Sequence, residues 1–266
     1  MTRPIAIATI CIAALLLANR LFAQGAASAP GALAPTGTLR AVFLGLNPVQ
    51  GRIDAHGKAL GPVPDLVEAL ARRIGVPFVI TSAPNAASIV AALNKGDADV
   101  GFLAYDDARA REVDFGAAFM VMFNSYLVRG DSPLQRAGDV DRQGVMVAAV
   151  RGQTQELFVS SHLKNANVRV FETMPPQADV ERLLLGREVD AFAINRQRAI
   201  EAEAASGRKL RAMPDSFFLV DQSFVVRKGD REKLPPIASF VADAKASGLI
   251  RRSIDRAGLI GVDVAK

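Results

Sequence analysis

The 266-residue sequence contains no tryptophan, one cysteine, two histidines and two tyrosines. One cysteine cannot close a disulfide within the chain, so stability has to come from packing. His56 and His162 stand 106 positions apart with no second cysteine to join them. A zinc site or another nitrogen- and sulfur-ligated metal therefore has no basis, and no metal is expected. Ser160-Ser161-His162 does not make a nucleophile and its base, because adjacent residues on a helix point in different directions. Neither common glycine-rich phosphate loop is present, and no cofactor is expected.

Charge of one sign is also scarce. Lys and Arg total 32 and Asp and Glu 27, spread evenly along the chain. Nucleic-acid binders cluster their basic residues and interleave aromatics, so no nucleic-acid partner is expected. Beyond the N-terminus no apolar run approaches the length of a membrane span.

At the N-terminus, Arg3 precedes an uncharged run from Ile5 to Ala18 that contains Cys11 and leads to Leu21-Phe22-Ala23. A basic start, about a dozen apolar residues and small residues near a cut site describe a secretory signal peptide. Residues 1–23 are expected to be removed after Ala23 as the protein is exported. Loss of Arg3 and Arg20 leaves 30 basic and 27 acidic residues, a net +3. Residues 24–36, rich in Gly, Ala, Ser and Pro, read as a flexible tail.

From there strands and helices alternate. Thr38 to Leu46 reads as a strand and Asn47 to Lys58 as a turn-rich loop. Pro64-Asp65 opens a helix to Ile74, stopped by Gly75 before a strand from Pro77 to Thr81. Ser88 to Lys95 is a second helix, stopped by Gly96. Its sequel Gly96-Asp97-Ala98-Asp99-Val100-Gly101-Phe102 has an approximate copy in Gly186-Arg187-Glu188-Val189-Asp190-Ala191-Phe192, after a helix from Ala178 to Leu185. Helix, glycine, acid and buried strand recur in order, which favours two similar α/β lobes over one continuous sheet. Val145 to Val150 and the following Gly152-Gln153-Thr154-Gln155-Glu156 supply the second lobe with a strand and a helix start. Extended segments Ser125 to Arg129 and Ser223 to Arg227 bracket that lobe, and amphipathic helices Leu234 to Ser247 and Ile250 to Ala257 follow. The expected division is residues 37–126 plus 226–266 for lobe one and 127–225 for lobe two, with hinges near 126–130 and 222–227. A ligand would sit between the lobes at the carboxyl ends of the strands.

Several segments in this order resemble the family 3 periplasmic solute-binding proteins of the polar amino-acid type, which serve ATP-binding-cassette importers. They are Gly37-Thr38-Leu39-Arg40, Pro64-Asp65-Leu66-Val67-Glu68-Ala69-Leu70-Ala71, the glycine-acid unit at 96–102, Arg109-Ala110-Arg111-Glu112-Val113-Asp114-Phe115, Gly152 to Glu156, and Val189-Asp190-Ala191-Phe192. The resemblance implies a type II bilobal fold, two α/β lobes joined by two hinge strands. It also implies a monomer that captures a small polar ligand, an amino acid or related carboxylate, and delivers it to a membrane permease.

The resemblance assigns a carboxylate grip to Arg109, whose guanidinium offers two parallel donors and stays charged when buried. By itself Arg109 reads as a solvated surface residue like Arg111. The loop Phe102-Leu103-Ala104-Tyr105-Asp106-Asp107-Ala108 would complete the contacts, with Phe102, Ala104, Tyr105 and Asp106 as candidates. Asp106 stands where the family usually has threonine, so it must turn away, pair with Arg109 or meet a cation. Gln153 and Thr154 match a hydroxyl pair that opens a helix and holds the carboxylate, and Thr154 also suits a simple N-cap. Asn195 falls where the amino-acid binders carry an aspartate for the ligand ammonium. The substitution should weaken a zwitterion by about 1–3 kcal/mol, although an asparagine also suits a turn after a strand. Asn47 heads the loop Asn47-Pro48-Val49-Gln50, which lacks the aromatics that many members place there. Phe102, Tyr105 or Phe119 would close the pocket instead.

The competing expectation is an enzyme. Periplasmic cyclohexadienyl dehydratases share this fold, and acid-assisted dehydration there would need a carboxylic acid such as Asp106 or Glu156. A receptor sensor or a cell-wall lyase would need a second attached module and is not expected.

Overall fold

The computed structural model describes residues 30–266, so the expected signal segment 1–23 and Cys11 lie outside the described residues. In chain order the elements are α1 (Pro30–Leu33), β1 (Leu39–Leu44), the hairpin β2 (Arg52–Ile53) and β3 (Ala59–Leu60), α2 (Pro62–Ile74), β4 (Phe78–Ala83), α3 (Ala86–Lys95), β5 (Val100–Ala104), α4 (Asp107–Glu112) and β6 (Val113–Arg129). They continue through β7 (Met146–Val150), α5 (Thr154–His162), β8 (Asn167–Phe171), α6 (Gln177–Leu185), β9 (Ala191–Asn195), α7 (Arg196–Ala205), β10 (Leu210–Ala212), β11 (Phe218–Arg227), α8 (Leu234–Ala246), α9 (Leu249–Arg256) and β12 (Val262–Val264). None of the described helices is long and apolar enough to cross a membrane.

The strands run in the order β4-β1-β5-β11-β6-β9-β7-β8, with β10 and β12 also on β6. Strands β4, β1 and β5 are parallel, as are β8, β7 and β9, while β11 and β6 are antiparallel to their neighbours. The two halves are thus hydrogen-bonded into one ten-stranded sheet, where the sequence favoured separate lobes over a continuous sheet. The link is β6, 17 residues long. Val113–Asn124 pairs with β11, and Asn124–Val128 pairs with β9. The sequence reading reached only its last five residues, because Gly116-Ala117-Ala118 has weak strand preference.

The cores remain separate. In the first half Phe43, Phe102, Phe119 and Phe224 fill one side of the sheet, and Val42, Ile89, Leu103 and Val225 the other. In the second half Phe192 and Leu184 belong to one cluster and Tyr126, Val147 and Ala193 to another. Strands β5, β7 and β9, buried on both faces, carry unbroken apolar runs and are legible for that reason, whereas the sequence reading has no strand at β8, whose residues are partly exposed.

Three boundaries differ from the expectation. Leu33 and Ala34 are buried in the first core cluster, so the chain joins the fold before residue 37 and the tail does not extend to 36. Val220, Phe224 and Val225 belong to first-half clusters and Met213 to the second. The return crossing therefore falls between residues 213 and 218, not at 222–227; polar Asp221, Gln222 and Ser223 split the apolar run of β11, so only its second part reads as a strand. Helix α2 begins at Pro62, since Pro62 and Pro64 both sit in the first turn, where a missing N–H removes no helical bond.

The repeated acid has the same job in both halves. The Asp99 N–H donates to Arg40 O at 2.8 Å, and Asp99 Oδ2 accepts from Arg40 N–H at 2.9 Å. The Asp190 N–H donates to Met146 O at 2.8 Å, and Asp190 Oδ2 accepts from Met146 N–H at 2.9 Å. Each aspartate closes a ring that fixes the start of a neighbouring parallel strand, so the repeat is a structural staple.

The extra residue in the second copy also has a reason. Gly96 caps α3 with φ +77°, in the left-handed region. Gly186 has φ −74°, and the left-handed position passes to Arg187 at φ +59°. A residue with a Cβ is strained there. Arg187→Gly is expected to stabilise the protein by about 0.5–1 kcal/mol, seen as a higher urea midpoint at unchanged slope.

Candidate functional site

A cavity of about 250 Å³ lies between the halves, bordered by residues at or just past the carboxyl ends of β1, β4, β5, β7, β8 and β9. Open α/β sheets bind ligands at such strand ends. Of the sequence candidates, Asn47, Ala104, Arg109, Gln153, Thr154 and Asn195 border it.

Arg109 stands on α4, a short helix that begins where Asp106 Oδ1 accepts from the N–H groups of Ala108 (2.9 Å) and Arg109 (3.1 Å). Its guanidinium donates from Nη1 to Ala104 O at 3.0 Å and from Nη2 to Gly152 O at 2.7 Å. The second bond joins the halves. Arg109 is therefore half-buried at their junction, while Arg111 is exposed. Burial pulls the Arg109 pKa below its ordinary value, with Asp106 working the other way; a guanidinium retains its charge under such a shift.

Phe102, Tyr105 and Asp106 do not border the cavity. Phe102 is fully buried in the first core, its ring 4.6 Å from that of Phe224. Phe119 belongs to the same cluster. Tyr105 is 49% exposed, packs against Phe115 and donates its hydroxyl to Asp107 at 3.1 Å. Asp106 is committed to its helix cap. Side chains alternate along β5 and its exit, so a run of consecutive candidates cannot all face one cavity. Glu156, the other acid nominated for dehydration, accepts from Gly152 N–H at 3.2 Å and Ser160 Oγ at 3.1 Å and is absent from the lining.

In the second half Gln153 occupies the N-cap position of α5 but makes no capping bond with its side chain. Thr154, first in the helix, is buried. With Gln155 beside them, they bring a helix N-terminus, with its partial positive charge, to the cavity. Asn195 is buried and accepts from Arg198 N–H at 2.8 Å through Oδ1, starting α7. It caps a helix and borders the cavity at once.

Sequence reasoning passed over Arg198, Gln155, Gln222 and Gln50. Arg198 Nη2 donates to Leu46 O at 2.6 Å, a second bond across the halves. Gln155 Nε2 donates to Asn124 Oδ1 at 2.6 Å, where β6 changes partners. Gln50, fully buried, accepts from Leu44 N–H at 2.9 Å and donates to Phe102 O and Gln222 Oε1. Gln222 borders the cavity and is 1% exposed. Its signal was present in Val220-Asp221-Gln222-Ser223-Phe224, polar residues inside an otherwise apolar strand. Among the described residues no group of three His, Cys, Asp or Glu is gathered as a metal ion would need.

The model of the bacterial extracellular solute-binding proteins, family 3, matches residues 41–257. No curated protein matches the sequence. Similar solved structures include the solute receptor for L-cysteine of Neisseria gonorrhoeae, at 19% identity and TM-score 0.71, covering 90% of this chain and 100% of the other. The amino acid ABC transporter substrate-binding protein AbpA from Streptococcus pneumoniae, bound to L-arginine, is 20% identical with TM-score 0.69 over 85% and 96%. An ancestral amino acid-binding protein, a precursor of cyclohexadienyl dehydratase, is 22% identical with TM-score 0.69 over 85% and 97%. At these identities the likeness is one of fold.

Proposed function

Because the chain belongs to the bacterial extracellular solute-binding proteins, family 3, we propose that it is exported to the periplasm, where as a monomer it captures a small polar ligand carrying a carboxylate. The two halves close on that ligand, and the closed form is presented to the permease of an ATP-binding-cassette importer. The observation that carries this reading is Arg109, a half-buried cation between the halves with N–H donors left over after Ala104 O and Gly152 O. A guanidinium in that setting is matched by a planar carboxylate. The chain crosses between halves twice, near Asn124-Ser125 and between residues 213 and 218, and these crossings are the proposed hinges.

Melting of the purified mature protein with amino acids, oxo acids, dicarboxylates and small amines tests the reading. A ligand at a hundred times its Kd is expected to add about 2.7 kcal/mol of stability. The same ligand is expected to reduce the radius of gyration in solution scattering. A tight ligand that leaves the radius unchanged would refute closure, and failure of the whole set to shift melting would refute small-molecule capture.

A further inference from the structure

Four charged side chains border the cavity: Arg109, Arg151, Arg198 and Glu172. Arg151 and Glu172 pair with each other at 2.8 Å, largely in solvent. Arg109 and Arg198 remain, and among the described residues neither forms a salt bridge. A guanidinium has five N–H donors. Backbone carbonyls take two from Arg109 and one from Arg198, leaving three and four. Burial depresses both guanidinium pKa values, partly offset by Asp106 for Arg109 and by Glu201 for Arg198. Neither acid borders the cavity. Asp106 is bound to helix N–H groups, and Glu201 accepts from Gln197 Nε2 at 2.9 Å.

Two neutral groups at the cavity add to this bias. Gln222 Nε2, buried at the cavity, has no hydrogen-bond partner among the described residues, while its Oε1 is held by Gln50. Asn195 spends its acceptor oxygen on the cap of α7. A ligand ammonium would therefore find one carboxylate, Glu172, already paired with Arg151. An acceptor-rich anion finds two cations. One carboxylate satisfies one guanidinium and leaves the other desolvated and uncompensated, whereas two carboxylates satisfy both.

Building on the solute-capture reading above, we infer that the cleft selects a small dicarboxylate without an ammonium group, and that Arg198 is the specificity-determining residue holding its second carboxylate. A cavity of about 250 Å³ limits the ligand to a few carbons, below the range of drug-sized pockets.

Calorimetry on the mature protein would compare succinate and 2-oxoglutarate with butyrate, L-glutamate, L-arginine and inorganic phosphate. One of the two diacids is expected to bind at least tenfold more tightly than butyrate, L-glutamate, L-arginine and phosphate. Arg198→Ala should weaken that diacid by at least a hundredfold and butyrate by less than threefold, erasing the preference. Arg198→Gln, which retains a polar side chain, should do the same, and an unchanged urea midpoint in either variant certifies the fold. Asn195→Asp is expected to lower diacid affinity and raise that of L-glutamate. Tighter binding of L-glutamate, L-arginine or butyrate than of either diacid, or a diacid preference that survives both Arg198 variants, overturns the inference and leaves solute capture standing. Binding of phosphate alone overturns the dicarboxylate assignment. No binding by any compound counts against solute capture itself.

Discussion

Arg109→Ala is expected to lower carboxylate affinity by at least a hundredfold while moving the unfolding free energy of the ligand-free protein by no more than about 1 kcal/mol. Truncating one partner of a buried, hydrogen-bonded charge pair costs about 2–5 kcal/mol of binding, mostly through the unpaired charge that remains. In the free protein the loss is smaller. The guanidinium gives up two bonds to carbonyls, Ala104 O and Gly152 O, and an ordinary hydrogen bond contributes about 1 kcal/mol net. Taking a half-buried cation out of a site without a carboxylate partner offsets part of that. Arg109→Lys, which keeps charge but loses the fork, should fall between. Calorimetry for binding and urea titration for stability decide the matter together. Unchanged affinity in Arg109→Ala would move the carboxylate site elsewhere.

Phe102→Ala is expected to give the opposite pattern, a loss of about 3–5 kcal/mol in stability with ligand affinity of the folded fraction changed less than threefold. Phe102 is 0% exposed and lies in the middle of the first core, 4.6 Å from the ring of Phe224 and 5.8 Å from that of Phe119. Removing the ring loses its transfer free energy and leaves a void that neighbours on two other strands cannot fill. Its carbonyl, not its ring, supports the site, by accepting from Gln50 Nε2 at 3.2 Å, and alanine keeps that carbonyl. A fall in affinity comparable to that of Arg109→Ala, at unchanged stability, would return the ring to the ligand. The two variants thus separate a residue proposed to meet solute from one that supports the sheet beneath it.

The contrast between Arg109 and Phe102 also shows how far the sequence reaches into the site. Arg109, Gln153, Thr154 and Asn195 come from the family resemblance, and all four border the cavity; without the resemblance Arg109 reads as a surface residue. Phe102, Tyr105 and Asp106 come from the same resemblance, as one run of consecutive residues, and such a run cannot all face one cavity because successive residues of a strand face opposite sides. Arg198, Gln50 and Gln222 escape because Arg198 meets Leu46 152 positions away and Gln50 and Gln222 meet each other across 172. Nothing local records a partner at the longest of those distances.

The alternation of strands and helices, the glycine stops at Gly75 and Gly96, and the acids Asp99 and Asp190 ahead of β5 and β9 are legible in the chain itself. Each depends on interactions within a few residues or on an apolar period. Long-range folding made β6 17 residues long and bound both halves into one sheet. It also set the return crossing at residues 213–218 and left two arginines without acids beside one cavity. These outcomes come from pairing between distant segments, where hydrogen bonding and burial override weak local preference, as at Gly116-Ala117-Ala118.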